Sequence, residues 1–168
     1  MKYEEQIKNL LNEQITEEVF SFNIYYAMYC NALNMGYNGI AHFLKKSAFE
    51  ELNHAKIITK YMSDRKITID YKLKVDNDQL SNVINMEITE IFQTILEHEQ
   101  YITKCLHDIY KISFDNEDYL TYNLIGDLIK EQIEEEAKAY NILDIIKNTD
   151  VEHNKSSLFL LDNYLKKQ

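Results

Sequence analysis

The feature of this sequence that most restricts its fold is a repeated interval between polar residues that interrupt helical stripes. In the first half, Leu11, Ile15, Glu18, Phe22, Tyr25 and Tyr29 step by fours and threes, the spacing that places side chains on one face of an α-helix. Glu18 takes a slot that the pattern reserves for an apolar residue. Thirty-three residues later Glu51 does the same on the stripe Ile40, Leu44, Ser47, Glu51, His54, Ile58, Tyr61, and His54 follows it one helical turn on. The second half repeats the interval. Phe92, Ile95, Glu99, Ile102 and Leu106 mark one segment and Leu128, Gln132, Glu135, Ala139 and Ile142 the next, with Glu99 thirty-three residues before Gln132. Two helical hairpins follow, each with a Glu in the middle of its first helix and a polar i, i+3 pair in the middle of its second. Stacked at one level of a bundle, these groups converge.

Pro is absent and Gly occurs only at 36, 39 and 126, so long helices run uninterrupted and the chain is all-α. Its 168 residues suit a single domain spanning 1–168. The first helix is predicted over about 4–34, and Gly36 and Gly39 supply the backbone freedom for a tight reversal into a second over about 40–63. Between 64 and 82 the helical period fails, and the alternation from Lys66 to Val75 predicts an extended crossover. A connection of that length lets the third helix, about 83–112, start at the same end as the second. Ser113–Asp118 forms a turn and the fourth helix reaches about 147, closing a four-helix bundle over 4–147. Gly126 inside it marks either a close helix contact or a small kink. A short, apolar fifth helix over about 156–166 needs partners of its own.

Carboxylates inside a core are penalised by several kcal/mol each unless protonated, paired or bound to metal. No Lys or Arg takes a matching position in the four stripes, so Glu18, Glu51, His54, Glu99 and Glu135 require another cation. Oxygen-rich ligation with one imidazole suits iron or manganese better than structural zinc, and di-iron carboxylate bundles are built on this plan. A net charge of −10 repels phosphate backbones and anionic lipid, which excludes nucleic acid as the first choice of partner. The N-terminus has no apolar signal region and no run approaches a membrane span, so a cytoplasmic location is expected. Cys30 and Cys105 read as reduced packing thiols. His42, His98, His107 and His153 lack a carboxylate at ligand spacing on a core stripe and read as surface or packing residues.

With these residues in place, the chain resembles the bacterial non-haem ferritins over essentially its whole length. The resemblance is carried by Leu11-Asn12-Glu13-Gln14, Glu50-Glu51-x-x-His54, His98-Glu99-Gln100 and Glu131-Gln132-x-Glu134-Glu135-Glu136. It implies a ferritin-like bundle with the long crossover between helices two and three and the short C-terminal fifth helix. It further implies that Glu18, Glu51 and His54 hold one iron, that Glu51 bridges, and that Glu99 and Glu135 complete a second site with Gln132 beside the pair. A third iron position maps onto Glu50, Glu131 and Glu134, and an electron-donating tyrosine onto Tyr25. The implied activity is a ferroxidase: Fe(II) is oxidised by dioxygen or peroxide and stored as ferric mineral in a homo-oligomeric shell of about 24 subunits.

Haem is not expected, because Gln132-x-x-Glu135 stands where bacterioferritins carry a second Glu-x-x-His, and Leu52 stands where they carry the haem-ligating methionine. Two cysteines cannot build the four-cysteine module of rubrerythrins. The positions that are acidic in the iron-entry channels of animal ferritins fall on Tyr122 and Ile125, and Asp115, Glu117, Asp118 and Asp127 are nearby acids with no channel assigned to them, so the route of iron entry stays open. Two other functions compete: a DNA-binding protector, opposed by the charge, and a soluble di-iron peroxidase without mineral storage, opposed by the fifth helix.

Overall fold

The computed structural model describes residues 2–168. Its helices are α1 (Lys2–Asn34), α2 (Asn38–Asp64), α3 (Asn77–Val83), α4 (Ile88–Asp115), α5 (Tyr119–Thr149) and α6 (Lys155–Leu165). α1 packs on α2 and α4 on α5, and the links are too short for anything but antiparallel pairs. The first link turns at Gly36, whose φ of +82° lies in the left-handed region that side chains with a Cβ avoid. At the second, the Asp118 carboxylate accepts from the Thr121 amide and hydroxyl at 3.2 and 2.7 Å, capping α5.

The crossover is extended over residues 67–76, as the alternation predicts, and lies along α1 without a strand partner. Asn12 replaces that partner: its amide donates to the Thr68 carbonyl at 3.1 Å, and its oxygen accepts the Asp70 amide at 2.6 Å. Lys74 adds a bond of 2.6 Å to Glu17 and sits 4.5 Å over the Phe20 ring. The crossover then forms a short helix that periodicity did not reveal. Asp76, the start of an acidic run that reads as loop, caps α3 by accepting the Gln79 amide at 2.9 Å. Buried Asn31 takes up the carbonyls of Val83 and Met86 at 2.9 and 3.0 Å, so the long helix begins at Ile88 rather than at Val83.

The core is split in two by the polar layer. One cluster includes Tyr25, Met28, Leu44, Phe92, Ile95 and Ile142, and the other Leu11, Ile15, Ile58, Ile102, Leu106 and Leu128. Between them lie Glu18, Glu51, His54, Glu99 and Gln132, all buried. Each stripe therefore passes from one apolar cluster through the polar layer into the other.

Gly39 differs from its predicted role. It lies inside α2, and a Cβ there would sit 1.7 Å from the Asp162 backbone oxygen. The glycine exists so that α6 can lie against the start of α2. The Asp162 carboxylate accepts the amides of Gly39 and Ile40, both at 2.8 Å, capping α2 from outside its own strand of chain. Gly126 marks a close contact: α5 is continuous through it, and a Cβ would meet the Tyr110 ring at 3.1 Å.

Candidate metal centre

Glu18 comes from the middle of α1, Glu51 and His54 from the middle of α2, and their donor atoms all lie within 4.8 Å of one another. His54 Nδ1 is 3.3 Å from Glu51 Oε2 and 3.8 Å from Glu18 Oε2. One Glu18 oxygen accepts from Gln14 Nε2 at 2.8 Å. The other, Oε2, is the single buried side-chain oxygen or nitrogen among the described residues with no hydrogen-bond partner. Buried polar atoms are seldom left unsatisfied, and a carboxylate oxygen without a hydrogen bond, turned toward a second carboxylate and an imidazole, suits a bound cation.

Glu99, on α4, is not in that group of three. Its two oxygens accept from the Tyr25 hydroxyl and, at 2.8 Å, from Gln132 Nε2. Tyr25 and Gln132 therefore both hold the same carboxylate. Glu135 is half-buried rather than buried and accepts a 2.6 Å bond from Lys138. The sequence shows no cation in register with the stripes, yet Lys138 reaches Glu135 from the flank, three residues on. Glu50, Glu131 and Glu134 line a pocket of about 580 Å³ together with Glu135, Lys138 and Lys46. Of these, Glu131 also accepts from His54 Nε2 at 2.9 Å. That bond fixes a proton on Nε2 and leaves Nδ1 as the nitrogen turned to Glu18 and Glu51.

Two supporting residues escape a stripe analysis. Gln14 precedes Glu18 by one turn, a spacing that would have located it. Ser21 lies 2.6 Å from the Nε2 of buried His98, whose imidazole burial holds down to about 4. Neutral His98 is a packing residue, and His42, His107 and His153 are exposed. Cys30 is exposed and Cys105 half-buried, so Cys30 is not the core thiol its neighbours suggest. Ile125 is packed in the core and Tyr122 stacks on Tyr110 with ring centroids 4.0 Å apart.

Burial raises the Glu51 carboxyl well above its ordinary value, and the charges of Glu99 and Glu18 add to it against the His54 hydrogen bond. Burial likewise lifts Glu99 to about 7, despite the bonds from Tyr25 and Gln132. For His54, burial alone would lower the imidazole, but Glu18 and Glu51 override it and push it up to about 11. Burial and then the charges of Glu99 and Glu51 keep the Tyr25 phenol protonated. The metal-free layer thus holds protons where a cation would replace them.

The consequence for stability has a definite sign. Glu99, ordinarily near 4.5, adds no penalty below that pH and destabilises the fold as pH rises through about 7. The extra proton on His54 likewise stabilises the fold below 6.5 and is lost as pH climbs toward 11. In chelator, the protein should melt several degrees higher at about pH 6 than at about pH 8.5. A divalent cation, which displaces these protons, should raise the melting temperature more at the higher pH. Calorimetry at the two pH values decides it, and equal melting points would contradict the buried, proton-holding state.

Fold and site together define a class: a helical bundle that gathers carboxylates and an imidazole between two hairpins, with its long crossover after the second helix. The ferritin family, described as a ferritin-like domain, matches residues 8–149. The chain is 30% identical over 161 residues to a bacterial non-heme ferritin of Bacteroides fragilis, covering 96% of each. It is 31% identical over 162 residues to one from Campylobacter jejuni, covering 96% of this chain and 93% of that one. Among solved structures, a humanized archaeal ferritin superposes with a TM-score of 0.89 at 26% identity, over 98% of this chain and 96% of that chain. An open pore ferritin from Archaeoglobus fulgidus gives 0.86 at 26% identity, over 98% of both. The protein belongs to the ferritin family.

Proposed function

We propose that this protein is an iron-storing ferroxidase, and the observation that carries the reading is Glu18 Oε2, buried without a hydrogen bond and facing Glu51 and His54. Fe(II) is its substrate. One ion binds between Glu18, Glu51 and His54 Nδ1, and a second between Glu51, Glu99 and Glu135, with Glu51 common to both and Gln132 steadying Glu99. Hard oxygen ligands with one imidazole hold ferrous iron and let the ferric product go. Two Fe(II) ions each give up one electron, and one dioxygen takes both together with two protons and leaves as hydrogen peroxide. Tyr25 donates its hydroxyl to Glu99, so a phenol stands beside the second ion and holds one of its carboxylates in place. Glu50, Glu131 and Glu134 then receive the product on its way to a mineral nucleus.

Storage requires an enclosing assembly. α6 leaves Phe159 and Leu160 each 67% exposed, which suits a helix that meets copies of itself in a closed shell of about 24 subunits. The test is to add Fe(II) to metal-free protein without air, admit air, and follow ferric absorbance while measuring mass by size-exclusion light scattering. Fast oxidation on a particle of shell size is expected. Fast oxidation on a monomer or dimer would instead support a soluble di-iron peroxidase, and slow oxidation on any particle would sink the ferroxidase assignment.

A further inference from the structure

Two lysines line the pocket beside the metal centre: Lys46 donates to the Gln168 carbonyl, whereas Lys138 is paired with a carboxylate of the centre itself. Its Nζ lies 2.6 Å from Glu135 Oε1, one turn away on α5, with the lysine side chain 43% and the glutamate 15% exposed. It lines the same pocket as Glu50, Glu131 and Glu134, off the core stripe of its helix. A four-carbon stem lets the ammonium reach a carboxylate or swing into water at small cost. The opposite end of the centre has no such partner: among the described residues, the ion pairs of Glu18 and Glu51 are to His54 alone.

We propose that Lys138 is a tethered counter-cation of Glu135, occupying that carboxylate until an incoming metal ion displaces it, a role that presupposes the iron site proposed above. An ammonium on Glu135 Oε1 and a divalent cation on the same carboxylate repel and compete, and the displaced ammonium remains close enough to oppose the ion. The Glu135 end therefore loads after the Glu18–Glu51–His54 end and holds its ion more weakly. When the ion departs toward Glu50, Glu131 and Glu134, Lys138 returns to Glu135 and opposes its re-entry. The centre is thus asymmetric by construction: one end retains its ion and the other passes it on.

Lys138→Gln keeps the length and loses the charge, and Lys138→Arg keeps the charge. Stepwise binding of Co(II) to metal-free assembled protein, read by calorimetry and visible absorption, should show the first ion unchanged within about twofold in both variants. Later ions should bind about tenfold tighter in Lys138→Gln only, the size of one removed, partly screened charge. Later constants that do not move in Lys138→Gln, or that move equally in Lys138→Arg, overturn the role of Lys138. Glu51→Ala separates this from the deeper claim. Co(II) binding indifferent to Glu51→Ala overturns the iron-site reading, whereas loss of the first ion in Glu51→Ala with no effect of Lys138→Gln overturns the lysine alone.

Discussion

Glu51→Ala is expected to slow Fe(II) oxidation by more than about 100-fold while leaving a folded bundle. Glu51 is 2% exposed, and the charges of Glu99, Glu18 and His54 all act on it. In the proposed site it is the carboxylate shared by both iron positions, so its loss separates them as well as weakening each. Loss of a group that merely supports a metal ligand already costs about 10- to 100-fold, and loss of a shared ligand should exceed that. The fold survives because apolar clusters on both sides of the layer are untouched, and His54 keeps Glu131 and Glu18 as partners. Truncation leaves a gap, but it also removes a carboxylate that burial and two like charges disfavour, so the opposing terms limit the net change. Stopped-flow absorbance with a circular dichroism melt on the same sample tests this, and fast oxidation retained by the folded variant would refute the assignment of Glu51.

The second large effect is expected far from the metal. Gly39→Ala should detach α6 from the bundle, because its Cβ would fall 1.7 Å from the Asp162 carbonyl oxygen and 2.6 Å from its carbon. Both are backbone atoms of a helix, which cannot step aside as a flexible side chain can. Moving α6 also breaks the two 2.8 Å bonds that cap α2 and uncovers Leu161 and Leu165, each buried in the cluster that contains Tyr25 and Phe92. A loss of about 3 kcal/mol or more follows from packing and cap together. Protease should then cut near residues 150–155, and light scattering should show a smaller particle. Asp162→Ala, which removes the cap without a clash, should cost only about 1 kcal/mol and leave the particle intact. An intact, protease-resistant particle from Gly39→Ala would show that α6 has another way to dock.

Neither effect is equally visible in the sequence. The position of Glu51 follows from periodicity, since a carboxylate on a core stripe one turn before a histidine can only be interpreted as paired or metal-bound. The need for glycine at 39 does not, because it comes from a segment more than 120 residues away. Near Gly36 a turn glycine is the natural expectation, and only the packed structure separates the left-handed turn at 36 from the helix contact at 39. α3 escaped for a related reason: a helix of seven residues is too short to show a period, and what holds it is Asn31 from α1. Cys30 has apolar neighbours in sequence, but its exposure depends on which side of α1 the rest of the bundle covers.

By itself the sequence determined the all-α bundle, the hairpin pairing, the extended crossover and the level at which the polar residues meet. These follow from helical periodicity and from the absence of proline, which are local properties carried by every stretch of chain. It also showed, by resemblance, the family to which the chain belongs. Only the tertiary structure decided how the polar layer divides its partners: Glu18 with one oxygen unmatched, Glu99 held by Tyr25 and Gln132, Glu131 on His54, and Glu135 on Lys138. Spacing places these groups at one height, but which oxygen meets which donor is settled by distances of a few ångströms between helices, where burial makes each unmatched charge costly.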